Sequence, residues 1–212
     1  MALFQKKPQV SSSAPLYTLG LNKTILIVGL GNVGKTHLQT RHNIGFDCVD
    51  HFAEQQELGQ WVDKKNLMCL ETSGTIGANR VIVIKPTTMM NNSGEAVRAV
   101  VHFYNVPLEQ LIVVHDELAI PFGQIRLRLG GSDAGNNGIK SVIKHLGPGF
   151  NRVRVGVHNQ HADNADTAAF VLSKFSKDER AHMPALVGEV NAILTEYLFG
   201  SLLPHDTRSF IV

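Results

Sequence analysis

The sequence is poor in cysteine and in charge, and it has no long apolar run. Its 212 residues include 2 cysteines, Cys48 and Cys69. Both fall in apolar patterns, which argues against a disulfide framework and makes a reducing compartment the default. Charged residues make up only 18% and hydrophobic residues 43%, a globular, soluble composition that excludes a disordered or collagen-like chain. The longest apolar stretch, Thr24–Leu30, is strand-sized and interrupted by Gly29. That is far short of the ~20 residues needed to cross a bilayer, so no membrane span is expected. Residues 1–20 lack a secretory apolar core. No Asp or Glu precedes Asp47, which faintly suggests an organellar address, but residues 1–20 contain no Arg and no clear amphipathic helix. A cytoplasmic protein with an untidy tail is the expectation.

The length predicts one domain, with residues 1–20 as a flexible extension and 21–212 as the folded unit. Strand and helix patterns then alternate. Thr24–Val28, Leu67–Thr72, Val81–Lys85, Leu111–Val114, Gln124–Leu129 and Arg152–Val157 read as strands. A helix opens at Asn43 and carries Ile44, Cys48, Val49, Phe52 and Ala53 on one face. A second carries Val97, Val100, Val101 and Tyr104, with Asn92 and Glu95 spaced as a capping box. A third, capped by Asn137, carries Ile139, Val142, Ile143 and Leu146 and stops at Gly147-Pro148. A terminal helix carries Met183, Leu186, Val187, Val190 and Leu194, with Pro184 in its first turn. The expected fold is α/β: one twisted, mostly parallel, mixed central sheet with helices on both faces.

The run Gly29-Leu-Gly31-Asn-Val-Gly34-Lys35-Thr36 matches both a dinucleotide fingerprint and a P-loop. Each of those loops needs a helix starting at its last glycine to aim N–H groups at phosphate. No apolar stripe follows until Ile44, so Gly31–His42 reads as a long loop and nucleotide binding is disfavoured. Cys48 lies on an apolar stripe, where thiols are inert. No G-x-S-x-G elbow is present. His158-x-x-His161-x-Asp163 reads as an incidental grouping rather than a metal site.

Polar residues recur just after strands: Asn32 and His42 after the first, Asn91 after Val81–Lys85, and Asp116 after Leu111–Val114. Such strand-end loops converge on one crevice in an open α/β sheet. An Asp that accepts from one imidazole nitrogen leaves the other free to take a proton from water. Neutral amides can donate to a carbonyl oxygen as it gains charge. Arg126, Arg128, Lys140, Lys144, Arg152 and Arg154 oppose a single acid, Asp133, between positions 126 and 154. That footprint suits a polyanion, although a solvated surface would look the same.

Four blocks in order resemble the bacterial-type peptidyl-tRNA hydrolase family. They are Ile27–Asn32 with Thr40-Arg-His42-Asn43-Ile-Gly45; Lys85-Pro-Thr-Thr-Met89-Met90-Asn91-Asn-Ser-Gly94; His115-Asp116-Glu-Leu118 with Pro121 and Gly123; and Leu129-Gly-Gly-Ser with Gly135-Asn-Asn137-Gly-Ile-Lys140. The resemblance implies hydrolysis of the ester between peptide and tRNA, without metal or cofactor, by a monomer. It further implies His42 as general base, Asp116 as its orienting carboxylate, and Asn32 as the discriminator of N-blocked esters. Asn91 and Asn137 would hold the peptide backbone and the water or terminal nucleotide, Met89 and Met90 would line the crevice, and Arg128 and Arg154 would clamp the tRNA 5′-phosphate. Three positions depart from the family pattern. Val33 replaces Pro. His37 replaces Tyr, and is still able to stack on substrate. Asn136 replaces a His on the path of the tRNA 3′ end. A noncatalytic, splicing-factor-like RNA binder of the same fold and a P-loop NTPase are the rival readings.

Overall fold

The computed structural model describes residues 23–200 and 206–209; the expected extension at 1–20 lies outside them. Eight strands form one sheet: β1 (Lys23–Gly29), β2 (Val62–Lys64), β3 (Cys69–Ile76), β4 (Asn79–Pro86), β5 (Leu111–Pro121), β6 (Gln124–Leu129), β7 (Asn151–His158) and β8 (Thr207–Ser209). Their order is β2-β3-β4-β1-β5-β7-β6-β8. The central strands β4, β1, β5 and β7 run parallel, whereas both flanks pair antiparallel. The sheet is mixed as expected, but its parallel character is confined to the middle. Among the described residues no helix is long and apolar enough to cross a membrane.

The apolar run of β1 serves both faces. Ile25 and Ile27 pack into the layer of α1 (Ile44–Gln55) and α5 (Lys177–Gly200). Leu26 and Val28 pack into the layer of α2 (Ser93–Tyr104) and α3 (Asn137–Leu146). The period-2 alternation of a strand places successive side chains in opposite layers, which is why a strand buried on both sides reads as an unbroken apolar run.

The fold builds a ledge for the site. β1 ends at Gly29, level with Val114 of β5, while β5 continues to Pro121 alongside β7. Asp116 therefore sits within a strand that overhangs its neighbour, rather than in a loop after Val114. Gly45 lets α1 start against this ledge: a Cβ there would lie 2.4 Å from the Val114 carbonyl oxygen and 2.5 Å from that of Leu30.

Local details differ from expectation. Gly31–His42 is a loop with one-turn 3-10 helices at Lys35–His37 and Arg41–Asn43, and no α-helix starts at Gly34. The cap of α3 is Asn136, not Asn137, because the Asn136 oxygen accepts from Gly138 N and Ile139 N. Asn43 and Asn92 stand at N-cap positions without side-chain capping bonds. Pro184 lies inside α5, which begins at Lys177 with a polar turn that carries no apolar stripe. A short helix α4 (Thr167–Val171) and the edge strands β2 and β8 were not anticipated.

Candidate active site

The loops beyond β1, β4 and β6 meet the overhanging stretch of β5 at a cavity of about 530 Å³. Its lining includes Asn32, His42, Met89, Met90, Asn91, Asp116, Asn136 and Asn137, so eight of the expected site residues share one space. His37, Arg128 and Arg154 do not line it.

His42 is carried by the 3-10 turn Arg41–Asn43, and its Nδ1 lies 2.9 Å from Asp116 Oδ2. Both side chains are nearly buried. A carboxylate can only accept, so the Nδ1 proton points at Asp116 and Nε2 keeps a lone pair; this tautomer follows from the bonding network. The other carboxylate oxygen, Oδ1, accepts from Asn136 Nδ2 at 2.9 Å.

Asn32 is fixed by its neighbours. Its N–H donates to Asn43 Oδ1 at 2.8 Å, and its carbonyl accepts from Asn43 Nδ2 at 2.9 Å. Its own Oδ1 accepts from Met90 N at 2.8 Å. The Asn32 Nδ2, with no protein partner among the described residues, remains as a donor at the cavity. Met90 is buried beneath this contact, whereas Met89 is exposed at the rim. Asn91 and Asn137 are exposed, with amides free for a ligand.

One wall was missed by sequence reasoning: Asp166, Thr167, Ala168, Val171 and Leu172, from α4 and its flanks. This segment is pinned to the turn that bears His42. Arg41 N donates to Ser173 O at 3.0 Å, and Thr40 bridges Lys174. The Arg41 guanidinium is gripped by Glu179 Oε1 and Oε2 at 2.8 and 2.6 Å, and lies 4.4 Å from the Phe170 ring centroid and 4.8 Å from that of Phe175. The signal for α4 was weak: an Asp cap ahead of a five-residue helix.

The arginines form a separate surface. Arg126 faces Arg154 and Arg128 faces Arg152 across β6 and β7, which places all four on one face of the sheet. Their roles differ. Arg152 turns inward to the carbonyls of Ser132 and Gly131, and burial together with Arg154 and Arg128 pulls its guanidinium down to about 10. Arg154 pairs with Glu117 at 3.1 Å. Arg128 is exposed and has no acidic partner among the described residues. His158 Nε2 lies 3.4 Å from Asp163 Oδ1, at the surface.

The cavity at the strand ends of this α/β sheet thus joins a buried His–Asp pair to uncommitted amides. The chain belongs to the peptidyl-tRNA hydrolase family, whose model matches residues 26–207. It is 43% identical to the peptidyl-tRNA hydrolase of Gloeobacter violaceus over 190 residues, covering 87% of this chain and 95% of that protein. It is 44% identical to the Clostridium perfringens peptidyl-tRNA hydrolase over 173 residues, covering 81% and 89%. The crystal structure of peptidyl-tRNA hydrolase from Acinetobacter baumannii superposes with a TM-score of 0.77 at 31% identity, over 84% of this chain and 90% of that one.

Proposed function

We propose that this protein hydrolyses the ester joining a peptide to the 3′-terminal ribose of tRNA, and so returns the tRNA to use. The observation that carries the mechanism is the 2.9 Å bond from His42 to Asp116, which leaves the second imidazole nitrogen for solvent. Water attacks the ester carbonyl carbon while His42 Nε2 takes its proton, and Asp116 stabilises the imidazolium. The carbonyl oxygen becomes an oxyanion, met by neutral amide donors from Asn32, Asn91 or Asn137. As the intermediate collapses, the C–O bond to the ribose breaks and His42 returns the proton to the leaving 3′-oxygen. The products are a peptide acid and tRNA with a free 3′-hydroxyl. This route forms no covalent acyl-enzyme.

Arg128 and Arg154 hold tRNA phosphate at a distance from the chemistry, positioning the substrate without reading its sequence. Asn32 distinguishes a blocked peptidyl ester from a free aminoacyl ester. His37, half-buried beside the catalytic turn, stacks on substrate approaching the cavity. Two buried, unpaired thiols suit the reducing cytoplasm.

The test is incubation with N-acetyl-aminoacyl-tRNA and with free aminoacyl-tRNA, in the absence of nucleotide. Release of tRNA from the blocked substrate alone is expected. Binding without release would make the protein a scaffold, and a requirement for ATP or GTP would restore the P-loop reading.

A further inference from the structure

Asn136 has no bonding capacity left for a ligand. Its Nδ2 donates to Asp116 Oδ1 at 2.9 Å and to the Asp116 carbonyl at 3.1 Å. Its Oδ1 accepts from Gly138 N at 3.0 Å and Ile139 N at 3.1 Å. A carboxamide has two N–H groups and two lone pairs, and all four are used here. The neighbouring Asn137 is exposed and uncommitted, so the two adjacent amides divide the work.

Asp116 is held from a further side. His115 Nδ1 donates to the Asp116 carbonyl at 2.7 Å. Burial pulls the His115 ring down to about 4, against the opposing pull of Asp116 and Glu117. It therefore stays a neutral donor at neutral pH. Asp116 thus gives Oδ2 to His42, Oδ1 to Asn136, and its carbonyl to His115 and Asn136 together.

We propose that Asn136 is a positioning residue for the ester hydrolysis: anchored on the first turn of α3, it holds the Asp116 carboxylate in the plane that presents Oδ2 to His42. This rests on reading His42 as the general base. The last torsion of an aspartate is broad and roughly two-fold, so a carboxylate tied at one oxygen alone can swing. With Oδ1 tied to an amide that the helix end holds in place, the carboxylate cannot swing without losing that bond. The amide also carries no proton to lose, so the clamp itself does not titrate. The titratable and charged groups around Asp116 are His42 on the 3-10 turn, His115 and Glu117 on β5, Arg154 on β7 through Glu117, and Asp166 across the cavity.

Two variants keep the cap and alter the clamp, since Ser and Asp cap helices about as well as Asn. Asn136→Ser is too short to reach Asp116. Its kcat on N-acetyl-aminoacyl-tRNA should fall about tenfold, the scale of a lost bond to a charged group, with KM and the melting temperature nearly unchanged. Asn136→Asp sets two carboxylates at hydrogen-bond distance, which hold a shared proton. Its kcat should decline with rising pH as that proton leaves, where the parent shows no decline. In substrate-free protein, the downfield proton resonance of His42 Nδ1–H, assigned by its loss in His42→Ala, should broaden or vanish in Asn136→Ser. That signal needs no turnover, so a failure of the clamp is distinguishable from a failure of the ester-hydrolase reading. A raised KM with unchanged kcat would place the amide on substrate. A lower melting temperature with unchanged kcat would leave only the cap, and an unaltered resonance would show that Asp116 needs no clamp.

Discussion

His42 and Asp116 lie 74 positions apart in the chain and meet at 2.9 Å. The sequence made that pair legible because residue type and place carry the information: a His, an Asp and several Asn, each following an apolar strand pattern, belong at one end of a parallel sheet. Asn32, Met90, Asn91 and Asn137 arrive in the same cavity for that reason. The supporting residues were not legible. Asn43 looked like a helix cap, and its side chain instead ties both backbone groups of Asn32. Asn136 looked like a substrate contact, yet its bonds run to a carboxylate 20 positions earlier. His115 drew attention only as part of a motif. In each case the role is set by which way a side chain points once strands are in register, and spacing along the chain does not encode that.

At the scale of elements, the segment 167–176 and the turn bearing His42 are joined through Arg41 and Glu179. Burial by itself would raise the Glu179 carboxyl; hydrogen bonds from Arg41, Ser176 N and Asn159 outweigh it and hold it at about 2. Its folded value is depressed, so its stabilising effect is complete above its ordinary value of 4.5 and is lost as pH falls toward about 2. Replacing Glu179 by Gln strands a buried guanidinium and should cost ~3–5 kcal/mol, or about 10 °C in Tm for a chain of this size. A thermal melt at neutral pH checks this, and an unchanged Tm would mean the pair holds nothing. The variant should also lose part of the parent's acid-induced destabilisation between those pH limits. The start of α5 was misread for a related reason. Its first turn is fixed by the Glu179 contacts rather than by an apolar stripe, so the pattern became visible only from Met183 onward. Likewise α4 is too short to carry a helical period of its own.

Over the whole molecule, the three-layer α/β architecture could be read from apolar runs, whereas the strand directions at the flanks could not. β2 and β8 are three residues each and exist through pairing with β3 and β6; isolated from those partners they have no strand signature. The arginine face is also a whole-molecule property, since register alone aligns Arg126 with Arg154 and Arg128 with Arg152. Arg128→Ala combined with Arg154→Ala should raise KM, leave kcat nearly intact, and reduce the slope of log affinity against log salt by about one unit per lost phosphate contact. KM measured across a salt series checks this, and parallel slopes for parent and variant would place the tRNA elsewhere.

The central claim is that one imidazole, oriented by Asp116, activates the water that cleaves the ester. Single-turnover release of tRNA from N-acetyl-aminoacyl-tRNA, at saturating enzyme, compares parent with His42→Ala most directly. The account predicts a rate loss of at least ~10²-fold with tRNA affinity preserved; an undiminished rate in the variant would contradict it.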